Sequence, residues 1–385
     1  MAWDDLTGQA EAIATMRAAA TDDGMTHSWL ITGPPGSGRS ILAYAFAAAL
    51  IARPGDEAST ELLVDKRTHP DLGVLSTDRV TITIEEVRQL VASSQFSPSI
   101  GRYRVMIIED ADRMTERTSN VLLKALEEPP PRTVWILCAP SEADLIPTVR
   151  SRVRTVRLRV PDVDQVAELI SRRDGVSLPE AMRAAREAQS HVGMAHRLAT
   201  SEEARDRRRR TLELALGIKS VAGAVIAAAE LIEVATADAK AITEEKDAEE
   251  RDSALRSLGI EPGGAVPPAL RAQLKALEED QKRRATRSLR DGIDRILVDL
   301  LSLYRDILLL QLGVEQEPVN LAIYAELTVA AAVSTPARSL ASLDAIATAR
   351  ERIEGNVAPA LALESMLISA IREPVPSTAG KDRSL

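Results

Sequence analysis

The sequence predicts an α/β core built on a parallel sheet, followed by regions that are entirely helical. Three observations carry this prediction. Short apolar runs alternate with amphipathic stretches from about residue 10 to residue 160. The central runs are apolar without interruption, the mark of strands covered on both faces. After Val160 the strand pattern stops and helical periodicity takes over.

The elements follow in order. "SWLIT" (28–32) reads as a short buried strand, followed by a Gly-rich loop and a helix over "RSILAYAFAAALI" (39–51). "DLGVL" (71–75) is the next strand, and "TIEEVRQLVASSQF" (83–96) opens a helix with the capping pair Thr83 and Glu86. Strand "RVMIIED" (104–110), helix "ERTSNVLLKALEE" (116–128), strand "TVWILCA" (133–139), helix "SEADLIPTVRS" (141–151) and strand "TVRLR" (155–159) complete a five-stranded core over 1–160. Three short helices make a small helical lid over 161–205, and a helical domain fills 206–372. Within it the region 236–290 is a charged insert, two charged stretches flanking the turn "GIEPGGAVPP" (259–268), which reads as a solvated hairpin. The composition of "EPVPSTAGKDRSL" (373–385) predicts a disordered tail.

Composition limits the function classes. Apolar residues make up 45% of the 385, aromatics only 2% and charged residues 27%, a mix that favours a mostly helical protein of two or three domains. The formal charge of -9 argues against general coating of DNA, because nucleic-acid affinity comes largely from Lys and Arg neutralising phosphates. Cys138 is the single cysteine, which excludes intramolecular disulfides and cysteine-rich zinc sites. No export signal is read in "MAWDDLTGQAEAIATM", and no run approaches the roughly 18–20 apolar residues of a spanning helix, so a cytoplasmic location with no membrane partner is expected.

Chemistry enters at "GPPGSGRS", residues 33–40. It matches the phosphate-binding pattern G-x-x-x-x-G-K-[ST] except that Arg39 stands where the lysine belongs. Gly33, Pro34, Pro35, Gly36, Ser37, Gly38, Arg39 and Ser40 are the candidate nucleotide-binding residues. Glycines at this spacing let backbone N–H groups approach an anion, and the following helix adds its N-terminal dipole. The alternative is a Gly-Pro loop that merely caps a helix. Arginine can pair with a phosphate, but it is longer and planar, so the placement of a transferred phosphoryl group should suffer. The strand end "VMIIEDAD" offers Glu109 and Asp110, where a P-loop ATPase needs an Asp for magnesium followed by a water-activating Glu. The two are in swapped order, a displacement of about 1.5 Å at a metal that demands near-ideal octahedral geometry. The site reads as degenerate in both halves.

At "LLKALEEPPP" (122–131) and "TVRSRV" (148–153) the chain resembles the clamp-loader branch of the AAA+ family, and within it subunits of the bacterial DNA polymerase III delta-prime type. The matching pieces run in order: "GPPGSGRS", "THPD" (68–71), "GRYRVMIIEDADRMT" (101–115), "NVLLKALEEPPPRTVWILCAPS" (120–141) and "TVRSRV". The resemblance covers residues 25–160 well and 161–205 loosely; beyond that only the helical character matches. It implies an AAA+ P-loop core, a lid and an all-α collar for oligomerisation. It also implies that Arg152, in Ser151-Arg152-Val153, is an arginine finger acting in trans on a neighbouring ATPase subunit. Without the resemblance, Arg152 would be one solvated member of "RSRVRTVRLR", whose Arg157 and Arg159 form an outward strand face.

Further implications concern the rest of the site. Ala139 and Pro140 stand where active members carry a polar first sensor; His196, beside Arg197, stands at the second-sensor place, with an ordinary helix-surface histidine as the preferred reading. The four-cysteine zinc module of many members is replaced by "RPGDEASTELLVDKRTHPD", so no zinc is expected, and His69 with Pro70 is read as fixing the loop into the next strand. No cofactor is required; ATP or ADP could be held passively, with magnesium weak or absent. The implied role is that of a stator in the clamp-loader complex of DNA polymerase III, with a gamma/tau ATPase and a delta subunit as partners and the β sliding clamp and primed DNA as indirect ones. The alternative is an active, gamma/tau-like ATPase.

Overall fold

The continuous apolar strands are explained by where alternate residues go. In the computed structural model, which describes residues 3, 5–21, 26–77, 81–257, 271–355 and 357–371, five parallel strands form one sheet in the order β2-β3-β4-β1-β5. The first compact unit spans Met1–Thr200. Its elements are α1 (Ala10–Thr21), β1 (Ser28–Thr32), α2 (Arg39–Ile51), α3 (Glu57–Asp65), β2 (Leu72–Leu75), α4 (Ile84–Ser94), β3 (Arg104–Ile108), α5 (Glu116–Glu127), β4 (Thr133–Ala139), α6 (Pro147–Arg150), β5 (Arg154–Arg157), α7 (Val163–Asp174), α8 (Leu178–Glu187) and α9 (Val192–Thr200).

Side chains alternate across a strand. Trp29, Ile31, Val105, Ile107, Val134, Ile136 and Cys138 therefore face one layer, where they pack on Met16, Leu42, Phe46 and Leu50 of α1 and α2. Leu30, Met106, Ile108, Trp135, Leu137 and Ala139 face the other, against Val87 and Leu90 of α4 and Leu122 and Leu126 of α5. Both faces are dry, so a polar residue anywhere in β1, β3 or β4 would be buried. Trp29 meets Phe46 edge-on at 5.4 Å between ring centroids, a geometry that adds to their area burial.

Local signals place the ends. Thr83 and Glu86 form a reciprocal capping box at the start of α4, as the sequence predicts. The helix expected over 141–151 is instead a 3-10 turn at Glu142–Asp144 and the single turn α6, which begins at Pro147. Proline fits the first helical turn but not an interior, so the two pieces cannot join. The strand expected over 155–159 runs from Arg154 to Arg157. Helices α1 and α3 were not read from the sequence; α3 occupies the stretch before "THPD".

The second unit spans Ser201–Leu385 and holds α10 (Glu202–Leu216), α11 (Val221–Ser257), α12 (Arg271–Gln311), α13 (Tyr324–Val333), α14 (Pro336–Glu354) and α15 (Pro359–Ile371). Residues 201–205 thus go with the helices that follow them. Leu212, Leu231, Ile293, Leu297, Leu300 and Leu363 are among its core. A buried polar network crosses that core: Arg208 donates to Asp299 at 3.0 Å and to Asn320 at 2.6 Å, and the fully buried Asp306 accepts from the Asn320 backbone N–H at 2.9 Å. The far ends of α11 and α12 form the expected charged hairpin limbs, joined where Gln281 Nε2 donates to the Asp247 carbonyl at 2.8 Å. The expected turn at 259–268 and the tail at 373–385 lie outside the described residues. Among the described residues, no helix is long and apolar enough to cross a membrane.

Candidate functional site: a phosphate loop beside a locked carboxylate

Strand order brings the site together. β3, β4 and β1 are adjacent, so the segments leaving their carboxyl ends are neighbours, which is where parallel α/β sheets bind ligands. Residues 33–40 leave β1, Pro140 leaves β4, and Glu109 and Asp110 leave β3. The Gly33 N–H donates to the Pro140 carbonyl at 3.2 Å, tying the first two together.

The loop is shaped by its glycines. Gly36 (φ 80°) and Gly38 (φ 95°) adopt left-handed backbone that side-chain-bearing residues rarely take. Gly38 then leads into α2, whose first N–H groups lack intrahelical partners. Ser37 Oγ and Arg39 Nη1 are buried and without a hydrogen-bond partner among the described residues. Ser37 is only 5% exposed, and its hydroxyl points across the loop toward Gly33. Buried polar atoms are almost always paired, so two orphaned donors in one phosphate-type loop fit an anion. Arg39 is also close enough to act on the charge of Asp112. Burial raises the Asp112 carboxyl above its usual range, Asp110 adds to this, and Arg39 opposes it.

The carboxylate at the end of β3 does not fit a metal in the same way. Glu109 Oε1 accepts a hydrogen bond from the Tyr44 hydroxyl and pairs with Arg67 Nη2 at 2.9 Å. The Arg67 guanidinium also lies over the Tyr44 ring, 5.2 Å from its centroid. Burial, then the bond to Glu109, raises the Tyr44 hydroxyl far above its ordinary value, so it stays a donor. Arg67 holds a left-handed backbone (φ 56°) without being glycine, a conformation that costs about 1–2 kcal/mol. Tyr44 is one turn beyond Ser40 on α2, and both line a cavity of about 640 Å³ together with Arg67, Asp5, Glu61 and Asp65. Neither Tyr44 nor Arg67 was read from the sequence, because nothing in local spacing announces a partner reaching in from α2 or from the end of α3.

The remaining candidates separate clearly. Ala139 is fully buried, and the Pro140 carbonyl is spent on Gly33. His196 does not face the loop: its Nδ1 is 2.7 Å from Asp174 Oδ2 at the end of α7. The Asp174 carboxyl sits below its usual range; burial opposes this, but the bonds from Arg173 and His196 outweigh it. The histidine beside the loop is His191, whose ring atoms lie 2.4–2.7 Å from where a Cβ on Gly36 would be. Cys138 is completely buried, and burial pushes its thiol up to about 12, so it is a packing residue. His69 Nδ1 accepts from the Asp71 N–H at 3.0 Å, which fixes the "THPD" turn as expected.

Arg152 stands apart from the loop, just after α6. It is paired with Glu127 at the end of α5, and its Nη1 donates to the Thr148 carbonyl at 2.7 Å. About a third of the side chain is open to solvent (32%).

A parallel sheet, a glycine loop opening a helix and an acidic strand end define a P-loop nucleotide-binding type of domain. The particular branch comes from relatives. Residues 8–162 match the family model described as DNA polymerase III, delta subunit. DNA polymerase III subunit delta' of Pseudomonas aeruginosa is 35% identical over 134 residues, covering 33% of this chain and 41% of that protein. The delta' subunit of Yersinia pestis is 33% identical over 144 residues, covering 35% and 42%. Subunit tau/gamma of Haemophilus influenzae is 28% identical over 171 residues, covering 43% of this chain and 25% of its own length. The chain thus spans a quarter to about two fifths of the relatives it matches. A gamma subunit-related protein from Thermotoga maritima aligns over 94% of this chain and 98% of its own at 18% identity, with a TM-score of 0.43. Residues 8–162 are thus similar to subunits of the DNA polymerase III clamp loader.

Proposed function

We propose that this chain is a delta-prime-like subunit of a cytoplasmic DNA polymerase III clamp loader that does not hydrolyse ATP itself and supplies Arg152 to a neighbouring gamma/tau ATPase. The observation that carries this reading is the lock on Glu109. The carboxylate where a P-loop ATPase holds its metal is engaged by Arg67 and Tyr44. Arg39 in place of the loop lysine and Ala139-Pro140 at the first-sensor place point the same way. Phosphoryl transfer is mostly positioning and charge stabilisation, and both are degraded in this chain.

Arg152 suits a role in trans. Exposed ion pairs contribute roughly 0–1 kcal/mol, so Glu127 can give up the guanidinium at little cost when a better anion arrives. An arginine fork matches a phosphate as well as a carboxylate. A delta subunit, the β sliding clamp and primed DNA complete the proposed assembly, with the second unit as its helical collar.

The test uses the reconstituted complex. Arg152→Ala is expected to lower its DNA-stimulated ATPase tenfold or more, in keeping with the about 10³–10⁵-fold worth of arginine fingers in GTPases. An unchanged rate would remove the finger assignment. The tau/gamma relative keeps a second reading in play, an active ATPase. Steady turnover by the purified chain that is abolished by Arg39→Ala would establish that reading instead.

A further inference from the structure

We propose that residues 5–9 form a strap that makes the lid helices α7–α9 follow the shape of the glycine loop. The proposal goes beyond the stator reading and depends neither on Arg152 nor on a bound ligand.

The argument begins at the hinge. The chain passes from the sheet to the lid through residues 158–162, between β5 and α7. A short link between two packed bodies is where a lid swings. Here it is braced from the N-terminal side. The buried Gln9 spends both ends of its amide on one residue: Nε2 donates to the Arg159 carbonyl at 2.7 Å, and Oε1 accepts from the Arg159 N–H at 3.1 Å. Turning the chain at Arg159 breaks both bonds at once and strands a buried amide, which is costly. Beside it, Thr7 Oγ1 donates to the Gln165 carbonyl in the first turn of α7, at 3.4 Å. Gly8 lies so close to that turn that a Cβ there would be 2.6 Å from Gln165 Oε1, the atom that accepts from the Asp162 N–H at 3.2 Å and caps the helix.

The other end of the strap rests on the loop. Leu6 is buried with the core residues of α1, α2 and the sheet, and its Cδ2 lies 2.8 Å from where a Cβ on Gly38 would be. Gly38 therefore meets Leu6 with bare backbone. Asp5 shares a cavity with Ser40 and carries its charge within reach of Arg173 at the end of α7. The lid closes the circuit. His191 Nδ1 accepts from the Met194 N–H at 3.2 Å, which fixes the ring at the start of α9, and that ring rests on Gly36. The loop thus touches the lid at Gly36 and the strap at Gly38, while the strap grips the hinge at Arg159. Close-packed contacts transmit strain rather than absorb it, so a change in the loop backbone is taken up at the hinge.

The experiment measures the distance between core and lid in the full chain. Asn120 on α5 and Arg183 on α8 are exposed. Asn120→Cys and Arg183→Cys are spin-labelled and read by double electron–electron resonance, with the fully buried Cys138 left unlabelled. The intact strap is expected to give one narrow distance distribution. Gln9→Ala, which unties the hinge, should widen it by about twofold. Leu6→Ala should widen it in the same direction although Leu6 packs with the core, and that is the signature of transmission from loop to lid. Leu90→Ala, the same truncation on the buried face of α4, should lower stability and leave the distance unchanged. Gln9→Glu, which loses the donation to the Arg159 carbonyl, replaces Gln9→Ala if circular dichroism shows that variant unfolded. An unchanged distribution in either strap variant, a broad one with the strap intact, or equal widening by Leu90→Ala would each overturn the proposal. The readout is a distance within the chain alone, so its failure would leave the ATPase test on Arg152 untouched, and the reverse.

Discussion

Two segments of the first unit gather donors for an anion, and only one of them brings its own. Asp71, completely buried, accepts from the N–H groups of Ser99 (2.5 Å), Ile100 (2.9 Å) and Gly101 (2.7 Å), with Arg104 at 3.6 Å. Burial alone would raise this carboxyl, but the three backbone bonds and then Arg104 hold it below its usual range. The phosphate loop has comparable chemistry in its donors, yet Ser37 Oγ and Arg39 Nη1 have no acceptor. Donors that find their acceptor within the chain hold structure together, whereas the two loop donors find none among the described residues.

The largest expected effect tests the first half of that contrast. Asp71→Ala would strand three backbone donors and Arg104 and should destabilise the first unit by about 3–5 kcal/mol, read from chemical denaturation. A loss below about 1 kcal/mol would break the comparison. The pH dependence has a fixed sign. Because folding lowers the Asp71 pKa, its contribution is fully present above the unfolded value of about 3.9 and is lost as pH falls through the lower folded value. Asp71→Asn should therefore flatten the acid limb of the stability profile and leave its slope above pH 5 unchanged.

A smaller effect sharpens the second half. Gly36→Ala puts a Cβ on a left-handed residue and drives it 2.4 Å from His191 Cγ. Strain and overpacking together should cost about 2–4 kcal/mol in thermal unfolding. Combining it with His191→Ala should recover the overpacking share and leave about 1–2 kcal/mol of backbone strain. If the double variant recovers nothing, His191 does not rest on the loop in solution.

Sequence reading reached these features unevenly, for physical reasons. The five strands were legible because both sheet faces are dry, which writes uninterrupted apolar runs such as "SWLIT" and "TVWILCA". The loop was legible because phosphate chemistry demands glycine at fixed intervals. Partners were not. Tyr44 and Arg67 meet Glu109 only because α2, the end of α3 and the end of β3 converge, and no local pattern encodes convergence. The same holds for Asp306 and Asn320, fourteen positions apart in sequence, which no local pattern marks as partners. His196 matches the second-sensor place by motif position, with the helix-surface reading preferred; its Nδ1 meets Asp174, and the histidine beside the loop is His191.

The Arg152–Glu127 pair is the intermediate case between Asp71 and the loop, a donor that has an internal acceptor but holds it at the surface. Its side chains are 32% and 45% exposed, so solvent screens the pair and its worth should fall at the low end for ion pairs. Glu127→Ala is therefore expected to change the stability of the chain by less than about 1 kcal/mol in denaturant unfolding. Asp71→Ala, by contrast, removes a carboxylate with no access to water. A loss for Glu127→Ala approaching that of Asp71→Ala would mean that Arg152 is locked rather than lent. It would then be a structural residue of its own subunit, with no guanidinium to spare for a neighbour.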